Sequence, residues 1–198
     1  MDYSQFFNMI PEAGLMAILV IVFLADLFLK GEKKHATLSM LTCVLLVAQV
    51  VLCFTAQPAE AFAGLYTATA AAQVMKVILT AGAFIVVVMA QSWIEREDVL
   101  RKEGEFYELI ISTLLGMYMM ISSGHFLMFF LGLEMASVPM ACLVAFDKYK
   151  KVSAEGAAKF ILTATFSSGV MLYGISFLYG ACGTLYFDDM AAKISATP

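Results

Sequence analysis

What most constrains this chain is the length of its uncharged runs. Ala36–Ala56 contains no Asp, Glu, Lys or Arg, and neither does Leu109–Leu133. Runs of about 18 or more apolar residues read as membrane helices, whereas a membrane β-barrel shows alternating segments of roughly ten. Dividing the chain at its charge clusters predicts helices near 13–29, 36–56, 73–93, 106–123, 126–146 and 157–180. The expected fold class is therefore all-α, a polytopic transmembrane helix bundle of about six spans in a lipid bilayer. Composition agrees, with 62% hydrophobic and 14% charged residues, against about 45–50% and about 25% in soluble domains. A soluble enzyme, a nucleic-acid binder and a barrel are excluded.

The placement of the charges gives an orientation. Of 12 Lys and Arg residues, nine fall in three connections: Lys30, Lys33 and Lys34; Arg96, Arg101 and Lys102; Lys148, Lys150 and Lys151. With six spans these connections share one side, which the positive-inside rule places in the cytoplasm with both termini outside. Only Lys193 lies clearly on the other side. Trp93, Tyr107 and Tyr149 sit at span ends on the basic side, where an aromatic belt is expected. Glu12 precedes the first apolar run where a secretory signal would carry positive charge, so this segment reads as a retained helix. The chain is expected in the cell inner (plasma) membrane. Connection 57–72 holds either an interfacial helix or nothing ordered, and the polar stretch 183–198, with Asp188 and Asp189, is expected to lack a packing partner.

Cys43, Cys53, Cys142 and Cys182 are widely spaced and form no Cys-x-x-Cys pair or Cys/His cluster. They read as free thiols packing like small hydrophobes, with neither a metal site nor a disulfide framework.

Four ionisable residues fall inside the predicted spans. A charge at mid-helix costs ~2.5–3.5 kcal/mol on insertion scales, so depth separates functional from interfacial residues. Asp26 lies one turn from the basic end and four residues before Lys30, the spacing of an interfacial ion pair. Lys76 lies one turn inside the opposite end and is expected to snorkel to the headgroups. Glu134 is different, ~12 Å from one face and ~18 Å from the other by helix rise. It must be neutral, paired or hydrated, each of which suits proton or ion handling; the alternative is a structural bond to a neighbouring helix. Gly132 permits close backbone approach beside it, and Pro139 leaves the Met135 carbonyl without its helical partner, so both distort this helix. Lys159, near the basic end of the last span, either snorkels or begins a polar line continued by Thr163 and Ser167 at i+4 and i+8. Helix rise places Glu134 and Lys159 too far apart for a direct salt bridge. His125 falls ~13.5 Å from Glu134 on the opposite helix face and reads as interfacial.

Several short motifs occur in order: Pro11-Glu12 with Asp26-Leu27-Phe28-Leu29, Glu105-Phe106-Tyr107-Glu108-Leu109, Phe130-Leu131-Gly132-Leu133-Glu134 with Ser137-Val138-Pro139, Ser153-Ala154-Glu155-Gly156-Ala157-Ala158-Lys159-Phe160, and the run Leu172 to Thr184. Together they resemble the N-terminal portion of the subunit N family of the proton-pumping NADH:quinone oxidoreductase, respiratory complex I, a proton-antiporter-like membrane subunit. The resemblance implies that Glu134 corresponds to the family's intramembrane glutamate and Lys159 to the lysine beginning the next helix. They would form part of a hydrated polar axis driven by NADH oxidation. It also implies that NADH, flavin, iron–sulfur clusters and quinone belong to other subunits, and that other membrane-arm subunits are the partners, with no nucleic acid.

Family members have about fourteen helices, a leading group followed by two inverted repeats, a common transporter plan. On that plan residues 1–104 hold three leading helices, 105–184 the first three helices of the first repeat and 185–198 a polar tail. The chain then reads as a fragment of an antiporter-like fold, needing the missing C-terminal helices or a chain that supplies them. The alternatives are a subunit of a multi-subunit cation/proton antiporter, or a non-transporting membrane scaffold. No catalytic chemistry is expected from this chain alone.

Overall fold

The computed structural model describes residues 3–29, 34–95, 102–147 and 150–196. Lys30, Lys33, Arg96, Arg101, Lys148 and Tyr149 lie outside the described residues. A short 3-10 helix, Tyr3–Met9, runs into α1 (Ile10–Phe28), where Pro11 occupies the first turn and its missing N–H costs nothing. Helix α2 (Lys34–Thr55) is followed by strands β1 (Ala59–Ala61) and β2 (Tyr66–Ala68), then α3 (Ala70–Ile94). The chain continues through α4 (Glu103–Ile121), α5 (Phe126–Val144), α6 (Lys151–Cys182) and α7 (Phe187–Ala196). Five helical stretches among the described residues are long and apolar enough to cross a membrane: Gln5–Phe28, α2, α3, α5 and α6.

The sixth expected span is α4, and it lies at the centre of the bundle instead of against lipid. Its buried residues run from Glu103 to Tyr118, whereas α6 buries only Ser168 and Ile175. A helix wrapped by other helices meets protein on most faces, so α4 tolerates Glu103, Glu105 and Glu108 in its first two turns. It still runs the height of the bundle. Glu103 pairs with His35 of α2 at the end bearing the charged connections. Ser122, just past its last turn, accepts the Thr67 N–H of β2 at 2.8 Å at the opposite end.

Two segments differ from expectation. Connection 57–72 is an antiparallel hairpin pairing Ala59 with Ala68 and Ala61 with Tyr66. Its turn takes positive φ at Phe62, Ala63 and Gly64. The Gly124 N–H reaches the Leu65 carbonyl at 2.8 Å, tying the hairpin to the α4–α5 turn. The stretch after α6 is not an unpacked tail. Gly183 ends α6 in the left-handed region, a conformation that favours glycine, and lets the chain turn back. The Phe187 ring then lies 4.6 Å from that of Phe126, Tyr186 stands edge-on to His125, and Met190 is buried. Asp188 and Asp189 fall in the first turn of α7, where the helix dipole favours acids.

The α4–α5 contact is made backbone to backbone. A Cβ on Gly116 would lie 2.4 Å from the Ala136 nitrogen, and one on Gly132 would lie 2.6 Å from the Met120 nitrogen. Small residues at such crossings let dispersion contacts hold membrane helices together. Gly116→Val is expected to force the two helices apart at a cost of about 1–3 kcal/mol. A lowered thermal midpoint of the full-length protein in detergent would register it.

Candidate functional site: buried charges at two depths

Lys76 is the clearest correction to the sequence reading. It does not snorkel; it is 0% exposed and lies among α1, α3, α4 and the hairpin. Its ammonium donates to Glu12 Oε1 at 2.5 Å. Ser122 Oγ donates to the same oxygen at 3.1 Å, and the Tyr66 hydroxyl donates to Oε2 at 2.9 Å. The Tyr66 and Tyr118 rings flank the ammonium at 5.4 and 5.5 Å. A carboxylate offers about four acceptor sites, and three are used here. Burial first, then the Glu12 charge, hold the Tyr66 phenol above its usual range, so it stays a donor at physiological pH.

Around this pair runs a wider polar core. Thr80 donates to the Lys76 carbonyl at 2.7 Å and shares a short hydrogen bond with the Tyr118 hydroxyl. That hydroxyl lies 3.1 Å from Cys53 Sγ, and the Gln49 amide donates to the Pro11 carbonyl at 2.7 Å. The sequence carried a signal for this group. Glu12, Lys76, Tyr66 and Ser122 all belong to the same end of the bundle, and two of them have opposite charge. Tyr66→Phe is expected to cost about 1–3 kcal/mol by stripping a donor from a buried carboxylate, readable as a shift in the unfolding midpoint.

At the other end Asp26 pairs with Lys34 of α2, at 2.9 Å. The expected partner, Lys30, lies outside the described residues. The Asp26 carboxyl rests on the backbone of Gly104, where a Cβ would come within 2.1 Å of it. The His35 Nδ1–Glu103 Oε2 contact is 2.5 Å. Tyr107 is 0% exposed and faces the core, so it belongs to no lipid-facing belt. Trp93 packs on Phe106 and Phe146, with centroids 5.8 and 6.0 Å away.

Glu134 lies half-buried on α5 and lines a groove of about 440 Å³ with Leu19, Ser112, Leu115 and Pro139. Among the described residues no side chain donates a hydrogen bond to its carboxylate, in contrast to Glu12. Ser137, one turn on, donates to the Leu133 carbonyl at 2.7 Å, and Pro139 sits inside the helix. Lys159 is elsewhere. It pairs with Glu155 at 2.5 Å, one turn earlier on α6, and both side chains are well exposed. The Thr163 hydroxyl donates to the Lys159 carbonyl at 2.8 Å, and Ser167 is exposed on the same helix. The structure therefore does not bring Glu134 and Lys159 together. His125 is the N-cap of α5, its Nδ1 accepting the Leu127 N–H at 3.1 Å. The four cysteines are free thiols, and no group of three or more His, Cys, Asp or Glu side chains among the described residues is placed to hold a metal.

The bundle of apolar helices carries one carboxylate at mid-depth, on a helix that stays continuous through Pro139. Residues 123–197 match the family described as NADH:quinone oxidoreductase/Mrp antiporter, TM. Over all of its residues the chain is similar to subunit N of NADH-quinone oxidoreductase. The subunit N protein of Phocaeicola vulgatus is 52% identical over 198 residues, 100% of this chain and 42% of the relative. That of Neisseria gonorrhoeae is 35% identical over 186 residues, covering 93% and 38%. A chain of the respiratory complex I from Thermus thermophilus superposes with a TM-score of 0.73 at 25% identity, over 89% of this chain and 38% of the other. A chain of an archaeal membrane-bound sulfane sulfur reductase shares the fold, with a TM-score of 0.71. The chain thus spans about two-fifths of the length of the curated relatives it matches.

Proposed function

We propose that this chain is part of a membrane subunit that translocates protons in a redox-driven NADH:quinone oxidoreductase, with Glu134 as the group that accepts and releases them. One contrast carries the reading. The charge pair at the hairpin end is fully buried and has its hydrogen bonds satisfied. The mid-depth carboxylate of Glu134 lines a groove with no protein donor among the described residues. Lipid offers a half-exposed carboxylate no hydrogen bonds, so one at mid-depth without a protein donor is held for exchange with water or for a partner that comes and goes.

In this reading NADH, flavin, iron–sulfur clusters and quinone react in other subunits, and other membrane-arm subunits are the partners. The basic connections face the cytoplasm with both termini outside, in the cell inner membrane. Residues 1–104 form a leading group and 105–184 begin the antiporter-like repeat; of the polar stretch 185–198, the part up to residue 196 packs back over the start of that repeat. Lys159, with Thr163 and Ser167 on its helix, joins Glu134 only through groups carried by the remainder of the protein or by a partner. The matched family also covers antiporters, so the decisive comparison uses inverted vesicles carrying the complete protein in its complex. NADH is expected to drive proton uptake into them, with no pH change on adding sodium without NADH. A sodium-driven pH change without NADH would assign the antiporter reading instead.

A further inference from the structure

The Glu134 groove is not isolated on α4. A second cleft of about 430 Å³ opens near the charged end, lined by Glu105, Glu108, Ser112, Cys142 and Phe146. Ser112 lines both spaces. The spacing 105, 108, 112, 115 runs along one face of α4, so the polar members form a stripe pointing from the charged end toward the groove. Depth follows from the glycine contact. Gly116 lies level with Gly132 and Ala136, hence with Glu134. At ~1.5 Å per residue Ser112 is then ~6 Å and Glu108 ~12 Å nearer the charged end than Glu134. A water occupies about 30 Å³ of liquid, so each space has room for several. Glu108 has as charged neighbours Asp26 of α1, itself paired with Lys34, and Glu105 of its own helix.

The geometry points to a proton-uptake path along α4, in which Glu108 collects protons from the charged side and Ser112 passes them through water to Glu134. This rests on the reading of Glu134 as a proton acceptor. Each hop is neutral in atoms and electrons. The Glu108 carboxylate takes a proton from water at the mouth and yields it to a water beside Ser112. The Ser112 hydroxyl accepts that proton while releasing its own to a water in the groove, which protonates the Glu134 carboxylate. The paired acids at the mouth raise the local concentration of cations, protons included.

The test uses the full-length protein in its complex, in inverted membrane vesicles, whose outer face is the charged side. Glu108→Gln is expected to slow NADH-driven proton uptake by roughly tenfold, the lower range for a lost proton-transfer group, with Glu108→Asp restoring most of it. Ser112→Leu, which plugs the junction, should do the same, while Ser112→Ala leaves space for a replacement water and keeps most of the rate. The native Cys142, followed by mass spectrometry of the peptide that carries it, should react with a charged, water-soluble thiol reagent added from the charged side. Full rates in both Glu108→Gln and Ser112→Leu, with Glu134→Gln impaired, would overturn the path and spare the role of Glu134. An unreactive Cys142 would overturn it as well, because the cleft would then be dry. Unimpaired Glu134→Gln would remove the underlying reading instead.

Discussion

Lys76→Met in the full-length protein is expected to destabilise the bundle by about 3–5 kcal/mol, the range for breaking a buried ion pair from one side. The substitution preserves the length of the side chain, so the loss comes from charge and not from a cavity. It leaves the Glu12 carboxylate, buried at 4% exposure, facing Tyr66 and Ser122 without its cation. Because that network holds the hairpin against α1, α3 and the α4–α5 turn, protection of the hairpin from proteolysis should fall together with the yield of folded protein. Glu12→Gln combined with Lys76→Met removes both charges and keeps an amide oxygen to accept from one hydroxyl, while the amide NH2 can donate to the oxygen of the other. The double variant is expected to recover most of the loss, since replacing both partners of a buried pair is often nearly neutral. Unfolding midpoints in detergent for the two single variants and the double would measure the coupling. A double variant as unstable as the sum of the singles would show that the two residues act independently.

Glu134→Gln is expected to behave in the opposite way. The amide matches the carboxyl in shape, and no described side chain bonds to Glu134, so folding and complex assembly should be unchanged. Proton translocation coupled to NADH oxidation should fall by about tenfold or more, because Gln has no proton to exchange. Quenching of a pH-sensitive dye in inverted vesicles, normalised to the amount of assembled complex, reads this directly. Reduced assembly with unchanged translocation per complex would mean that Glu134 only bonds a neighbouring helix. The pair of experiments separates two uses of buried charge in one chain: one set fixed by neighbours, the other left open to exchange.

Much of the architecture is legible in the residues. Apolar runs bounded by charge clusters locate five of the helices within about three positions, because the bilayer demands a fixed length of uncharged helix, while α6 begins six residues earlier than expected, at Lys151. The depth of Glu134 follows from counting at a fixed rise per residue, and Gly132 and Pro139 mark a special helix by their own covalent chemistry. These properties belong to one segment at a time. What needed the tertiary structure is every property shared between segments. Depth alone places Lys76 near a membrane end, where snorkelling is the ordinary outcome; only the packing of α3 against α2 and α4 turns its ammonium inward to Glu12 of α1. Asp26 finds Lys34 because Gly104 lets α1 and α4 close up beside the start of α2. α4 carries three glutamates near its start yet is the core helix, since its neighbours and not lipid surround it. The hairpin and α7 form because Tyr66 and Phe187 have partners on distant elements, Glu12 and Phe126. Hydrophobicity and helix rise are additive along a chain and can be counted from the sequence. Pairing depends on which helix faces meet, and that is set only when all the helices pack at once.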